Sequence, residues 1–165
     1  MTFPLVIANP VFDGTVSRKR LLDLTEARIP IETTTTALAS TNATGEHFAE
    51  MDRLLQRAGE HLHDDTISNE MNLAFHQQIA IASGNSVLQQ LLDVWTKLFS
   101  REQRIILNIQ NTRAGDHAEH LAIVAALKPH QTKLAVARMR GHLQNVPQVL
   151  QQVLPLWDPT ETPLN

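Results

Sequence analysis

The sequence predicts an all-α fold, an antiparallel bundle of six or seven helices. Three observations carry this expectation. Apolar residues recur at three- and four-residue spacing along most of the chain. Helix-stop and helix-start residues punctuate those stripes at short intervals. No stretch alternates apolar and polar residues, and there is no Asn-Gly or Asp-Gly hairpin, since Asp13-Gly14 falls in the unpatterned start of the chain.

Residues 1–16 carry Pro4, Pro10 and Gly14 without any period and are expected to form an arm or linker remnant. From Ser17 a helical face of Leu21, Leu22, Leu24 and Ala27 begins and continues to Ala39, with Pro30 expected to kink or split it. Thr33 to Thr36 are weak helix formers, so tertiary packing must hold that half. Thr44 is an N-cap candidate for a second helix bearing Phe48, Met51, Leu54 and Leu55. After the polar segment 61–65, with Asp65 or Ser68 as cap, a third helix carries Met71, Phe75, Ile79 and Ala82 and stops at Gly84-Asn85. A long fourth helix from Ser86 has the stripe Leu88, Leu91, Leu92, Trp95, Leu98, Phe99 and Ile105. A break at 111–115 precedes a fifth, with Leu121, Val124, Ala125 and Leu127, closed by Lys128-Pro129. A sixth runs from about Gln131 through Leu134, Met139, His142, Leu143 and Val146, past Pro147 to Leu154. The tail 155–165 holds three prolines and is expected to be flexible.

At 165 residues the chain is one domain's worth, here 17–154. A net charge of -3 argues against nucleic-acid binding by charge alone, and the absence of cysteine excludes disulfides, thiolate ligands and thiol nucleophiles. No apolar run reaches the roughly 20 residues that span a bilayer, and the N-terminus lacks the basic start of a signal peptide. A cytoplasmic protein is expected.

Eight histidines are many for this length. His76 stands four residues after Asn72 on the third helix, so the two side chains share a face. His120 lies on the apolar side of the fifth helix and His142 within the stripe of the sixth. Three separate core histidines would each need hydrogen-bond partners; one divalent ion bound through neutral imidazoles would satisfy all three together. Both possibilities stand at this level. His61 and His63 fall in a loop, His47 and His130 at helix starts, and His117, three before His120, tends toward the polar side. Glu119 is expected to point away from His120 into solvent. With no carboxylate base expected beside the histidines, and no nucleophile elbow, phosphate loop or His-Glu-x-x-His, binding is favoured over catalysis.

A family resemblance covers about residues 17–150. Glu26-Ala27-Arg28 with Glu32, Ala37-Leu38-Ala39, Asn72-Leu73-Ala74-Phe75-His76, Ala82-Ser83-Gly84-Asn85, Glu119-His120-Leu121-Ala122-Ile123 with Ala125, and Arg138-Met139-Arg140-Gly141-His142-Leu143 follow one another in order. In this the chain resembles the FCD domain, the effector-binding domain of FadR-type regulators in the GntR family. The resemblance implies a dimeric helical bundle holding a divalent metal, commonly zinc or nickel, on one aspartate and three histidines. It also implies a small carboxylate effector, an organic or sugar acid, bound beside that metal. The corresponding ligands are Asn72, His76, His120 and His142. Asn72 replaces the family's aspartate, so the site is expected to carry less negative charge and to favour anions. Arg28, at the family's arginine position, and Arg101, midway along the fourth helix, are the candidate carboxylate-binding residues. The family's winged helix needs more residues than the 16 before the first helix, so DNA is expected only through an attached domain. The competing expectation is a small helical-bundle metalloenzyme with a three-histidine site, which would consume its ligand; a plain oligomerisation module would not respond to one.

Overall fold

The computed structural model describes residues 18–98, 105–106 and 113–153. Within them the chain forms six helices: α1 (Arg18–Asn42), α2 (Gly45–Glu60), α3 (Asp65–Ala82), α4 (Ser86–Leu98), α5 (Arg113–Leu127) and α6 (Thr132–Val153). Residues 105–106 are also helical. The expected arm, the flexible tail, Phe99 and Arg101 lie outside the described residues.

Short connections fold α2 onto α3, α3 onto α4 and α5 onto α6, while the long α1 packs chiefly against α6 and α3. The main core is built on Met51, Leu55, Phe75, Ile79, Ile123, Leu127, Met139 and Leu143. A smaller cluster joins Leu24 and Ala80 to Leu92 and Trp95.

Three departures from expectation have local causes. Pro30 does not split α1, which runs unbroken from Arg18 to Asn42. Around it the threonine hydroxyls bond back to the helix: Thr33 and Thr34 donate to the carbonyls of Ile29 and Pro30, both at 2.7 Å, and Thr36 to that of Glu32 at 2.7 Å. This local bonding lets Thr33, Thr35 and Thr36 sit buried against neighbouring helices. The cap of α3 is Asp64 rather than Asp65 or Ser68, its carboxylate accepting from the Ile67 amide at 3.0 Å. The fifth helix begins at Arg113 and passes through Gly115, which was expected to lie in a break.

Several apolar residues face outward. Leu91 and Leu121 are about half exposed, and Ala27 and Ala125 are exposed as well. On α1 the inward positions go instead to Thr25, Arg28 and Glu32, all buried. A helix interior that accepts an arginine and a glutamate does so for partners.

Candidate metal centre

His76 sits on α3, His120 on α5 and His142 on α6, and all three are nearly fully buried. One nitrogen of each lies within 4.8 Å of the others. The Nε2 atoms of His120 and His142 are 3.1 Å apart. Phe75 stacks on the His120 ring, with centroids 4.4 Å apart, and fixes its plane.

Two carboxylates stand behind this cluster, and sequence reasoning missed both roles. Glu119 is not directed away into solvent: its Oε2 accepts from His142 Nδ1 at 2.6 Å, and its Oε1 from the Asn145 amide at 2.8 Å. Glu32, fully buried on α1, brings Oε2 to 2.5 Å from His76 Nδ1 and accepts at Oε1 from Arg28 Nε at 2.6 Å. The His76–Glu32 approach is close but not aligned as a hydrogen bond, so both atoms remain without a well-directed partner. A helical-spacing signal existed for each. Glu32 is four residues after Arg28, one turn along the same face, and Asn145 is three after His142.

These contacts fix charges and tautomers. Burial pushes the Glu32 carboxyl upward, but Arg28 and His76 together outweigh it and hold the group ionised, well below the usual carboxylate range. Burial lowers the His76 pKa, against the pull of Glu32. Burial lowers that of His120 further, with His142, His76 and Arg28 adding to the effect. The Glu119 carboxyl is held down first by its bond from His142. With its Nδ1 proton on Glu119, a neutral His142 has a bare Nε2, so the 3.1 Å contact needs the proton on His120 Nε2.

The donor set suits a borderline divalent ion. Three neutral imidazoles without thiolates favour zinc, nickel or copper over magnesium or calcium. Metal–nitrogen bonds of about 2.0–2.1 Å place tetrahedral ligand nitrogens roughly 3.3 Å apart. The His120–His142 pair at 3.1 Å already stands near that spacing, and the group as a whole, within 4.8 Å, would draw inward. His76 Nε2 is buried without a hydrogen-bond partner, a cost that coordination would remove.

Asn72, one turn before His76 on α3, lines a small cavity with His120, His117, Asp116, Ser68 and Arg113. The cavity has a volume of about 20 Å³, room for a single water molecule. His117 is half-buried, and Gly59 allows its ring to pack against α2, where a Cβ would come within 3.1 Å of Nε2. On the other side of Glu119, between α5 and α6, lies an open groove of about 290 Å³ lined by Asp116, Glu119, Asn145 and Gln148. Arg28 is buried, its guanidinium 5.4 Å from the Trp95 ring.

Three further histidines have structural contacts. His47 completes the cap of α2, its Nδ1 accepting from the Thr44 amide at 3.0 Å. His130, with φ of 57°, ties the α5–α6 turn to the Ser40 carbonyl through Nδ1 at 2.5 Å. His61 Nδ1 meets the Arg57 carbonyl at 2.9 Å.

The FCD domain profile matches residues 23–145, three quarters of the chain. The chain belongs to the FCD domain family. FCD domains are the effector-binding regulatory domains of GntR-type transcription regulators, not enzymes. Solved structures give the same fold. Escherichia coli McbR/YncC aligns at 19% identity with a TM-score of 0.70, over 84% of this chain and 68% of that one. Streptococcus agalactiae GntR aligns at 22% identity with a TM-score of 0.69, over 83% of this chain and 62% of that one. The metal-free FCD domain of TM0439 aligns at 16% identity with a TM-score of 0.72, over 87% of this chain and 100% of that one. The chain therefore spans about two thirds of the two longer proteins and the whole of the isolated domain. No curated protein gives a significant sequence match. Among the described residues, no helix of this FCD domain is long and apolar enough to cross a membrane.

Proposed function

We propose that this FCD domain senses a small carboxylate through a bound divalent metal, zinc or nickel, as part of a cytoplasmic, dimeric GntR-type regulator. The domain proper would be residues 17–154, flanked by the arm 1–16 and the tail 155–165. DNA would be reached only through a winged helix attached to it. The observation that carries this reading is the meeting of three buried imidazoles from three helices, each offering a nitrogen within 4.8 Å of the others. His76, His120 and His142 would hold the ion, with the Asn72 amide oxygen as a weaker fourth ligand. The ion would supply Lewis acidity toward an incoming carboxylate and leave open positions for it.

Arg28 would contribute its guanidinium to the effector while keeping Nε on Glu32, and Arg101 is a further candidate. Two carboxylates stand near the cluster, Glu32 paired with Arg28 and Glu119 beside His142, so Glu119 would offset part of the negative charge missing at Asn72. The small volume beside Asn72 and His120 means that a carboxylate enters only when side chains or helices move apart.

Elemental analysis of the purified chain is expected to give about one zinc or nickel per chain. His120→Ala should remove it, and melting experiments should show stabilisation by metal and then by organic acids only in the wild type. Unchanged metal content in His120→Ala would refute the ligand assignment.

A further inference from the structure

We propose that Glu119 is the positioning residue of this centre: it fixes the tautomer of His142 and supplies negative charge that Asn72 cannot. The inference rests on the metal reading above and extends it to a residue outside the ligand set. Its basis is a contrast between the two carboxylates. Glu32 divides itself between His76 and the cationic Arg28, so much of its charge is answered by the guanidinium. Glu119 divides itself between His142 and the neutral amide of Asn145, with the Asp116 carboxylate also within 4.8 Å. Its charge is therefore directed at one imidazole.

The geometry gives that charge a specific task. An imidazole has two nitrogens and, when neutral, one proton. With Nδ1–H held on Glu119 at 2.6 Å, the lone pair of His142 must sit on Nε2. That is the nitrogen 3.1 Å from His120 Nε2, inside the cluster. A carboxylate on the far nitrogen also makes the near one a better donor to a metal. To offer Nε2 to an ion, His120 would carry its proton on Nδ1 instead, a change of tautomer with no net proton release. His142 needs no such change, because Glu119 has already set it.

Glu119 is also the member of this arrangement that reaches the surface. Its side chain is 38% exposed and borders the open groove between α5 and α6. Its substitution leaves no buried charge stranded, so variants should fold.

The test uses the full chain and two measurements. Ring nitrogen NMR of the chelator-treated protein reads the His142 tautomer without any metal. Competition with a chromophoric chelator then reads Zn²⁺ and Ni²⁺ affinity. The wild type should show Nδ1–H on His142. Glu119→Ala should lose that signal and bind both ions roughly 10–100-fold more weakly. Glu119→Gln keeps an acceptor without the charge, so it should hold the tautomer and lose less affinity. Glu119→Asp should recover part of it, and apo melting temperatures should stay close to wild type throughout. An ion-binding wild type whose Glu119→Ala variant keeps both tautomer and affinity overturns the role of Glu119 alone. A wild type with the Nδ1–H tautomer that takes up neither ion overturns the metal reading, and this role with it.

Discussion

The two sides of the histidine cluster use the same pairing in opposite surroundings. On the α1–α3 side, Glu32 and His76 are 1% and 3% exposed, and the buried Arg28 closes the group against Trp95. On the α5–α6 side, Glu119 backs His142 through an aligned hydrogen bond and is 38% exposed beside an open groove. Charges removed from water depend wholly on their partners, whereas a half-solvated carboxylate can fall back on water. The sealed side is therefore bound up with folding, and the open side is free to be tuned for binding.

The sharpest way to break this contrast is Glu32→Ala. It leaves Arg28 buried beside His76 without its counter-ion, and removal of one partner from such a pair costs about 3–5 kcal/mol. The expected outcome is a melting temperature lower by on the order of 10 °C, read by circular dichroism. A loss under about 1 kcal/mol would mean that water already reaches this side.

Acidification should give the next largest effect, and the buried groups of the cluster push in one direction. His76 and His120 have lowered pKa values, so below about 6.5 the unfolded chain takes up protons that the buried rings refuse. Glu32 adds to this below its ordinary value of 4.5, where the unfolded carboxyl protonates while the folded one stays ionised. Metal-free protein should lose stability steadily from about pH 6.5 downward in urea titrations. A stability flat between pH 7 and pH 5 would contradict the neutral state of the two rings.

The smallest effect is expected on the open side. Glu119→Gln should change apo stability by no more than about 1 kcal/mol, since an amide oxygen can still accept from His142 and the group is partly solvated. Equal losses from Glu32→Ala and Glu119→Gln would erase the distinction between the sides.

Helical period carried much of this to the sequence level. It placed the three histidines on inward faces of three helices, put Asn72 one turn from His76, and located the Thr44 cap and the Gly84 stop. It fared worse where a residue's neighbour comes from a distant part of the chain. Glu119 looked solvated because its own helix puts it off the apolar face; only α6, crossing there, brings His142 and Asn145 to it. Leu91 and Leu121 looked buried for the converse reason, since an apolar side chain at helical spacing reports a face and not what covers it. Pro30 and the threonines were read as a weak point, yet hydroxyl-to-carbonyl bonds one turn back let that stretch stay helical. Arg28 and Glu32 were visible as a one-turn pair, but their burial depends on α3 and α4 closing over α1.

The cavity beside Asn72 has room for about one solvent molecule, and this has a kinetic consequence. A small acid larger than that cannot simply diffuse in; it must wait for the helices around Asn72 and His120 to part. Its observed on-rate in stopped flow should level off at high concentration, at the frequency with which the protein opens. Such a receptor would trade speed of response for discrimination, reporting sustained changes in its ligand and filtering out brief ones.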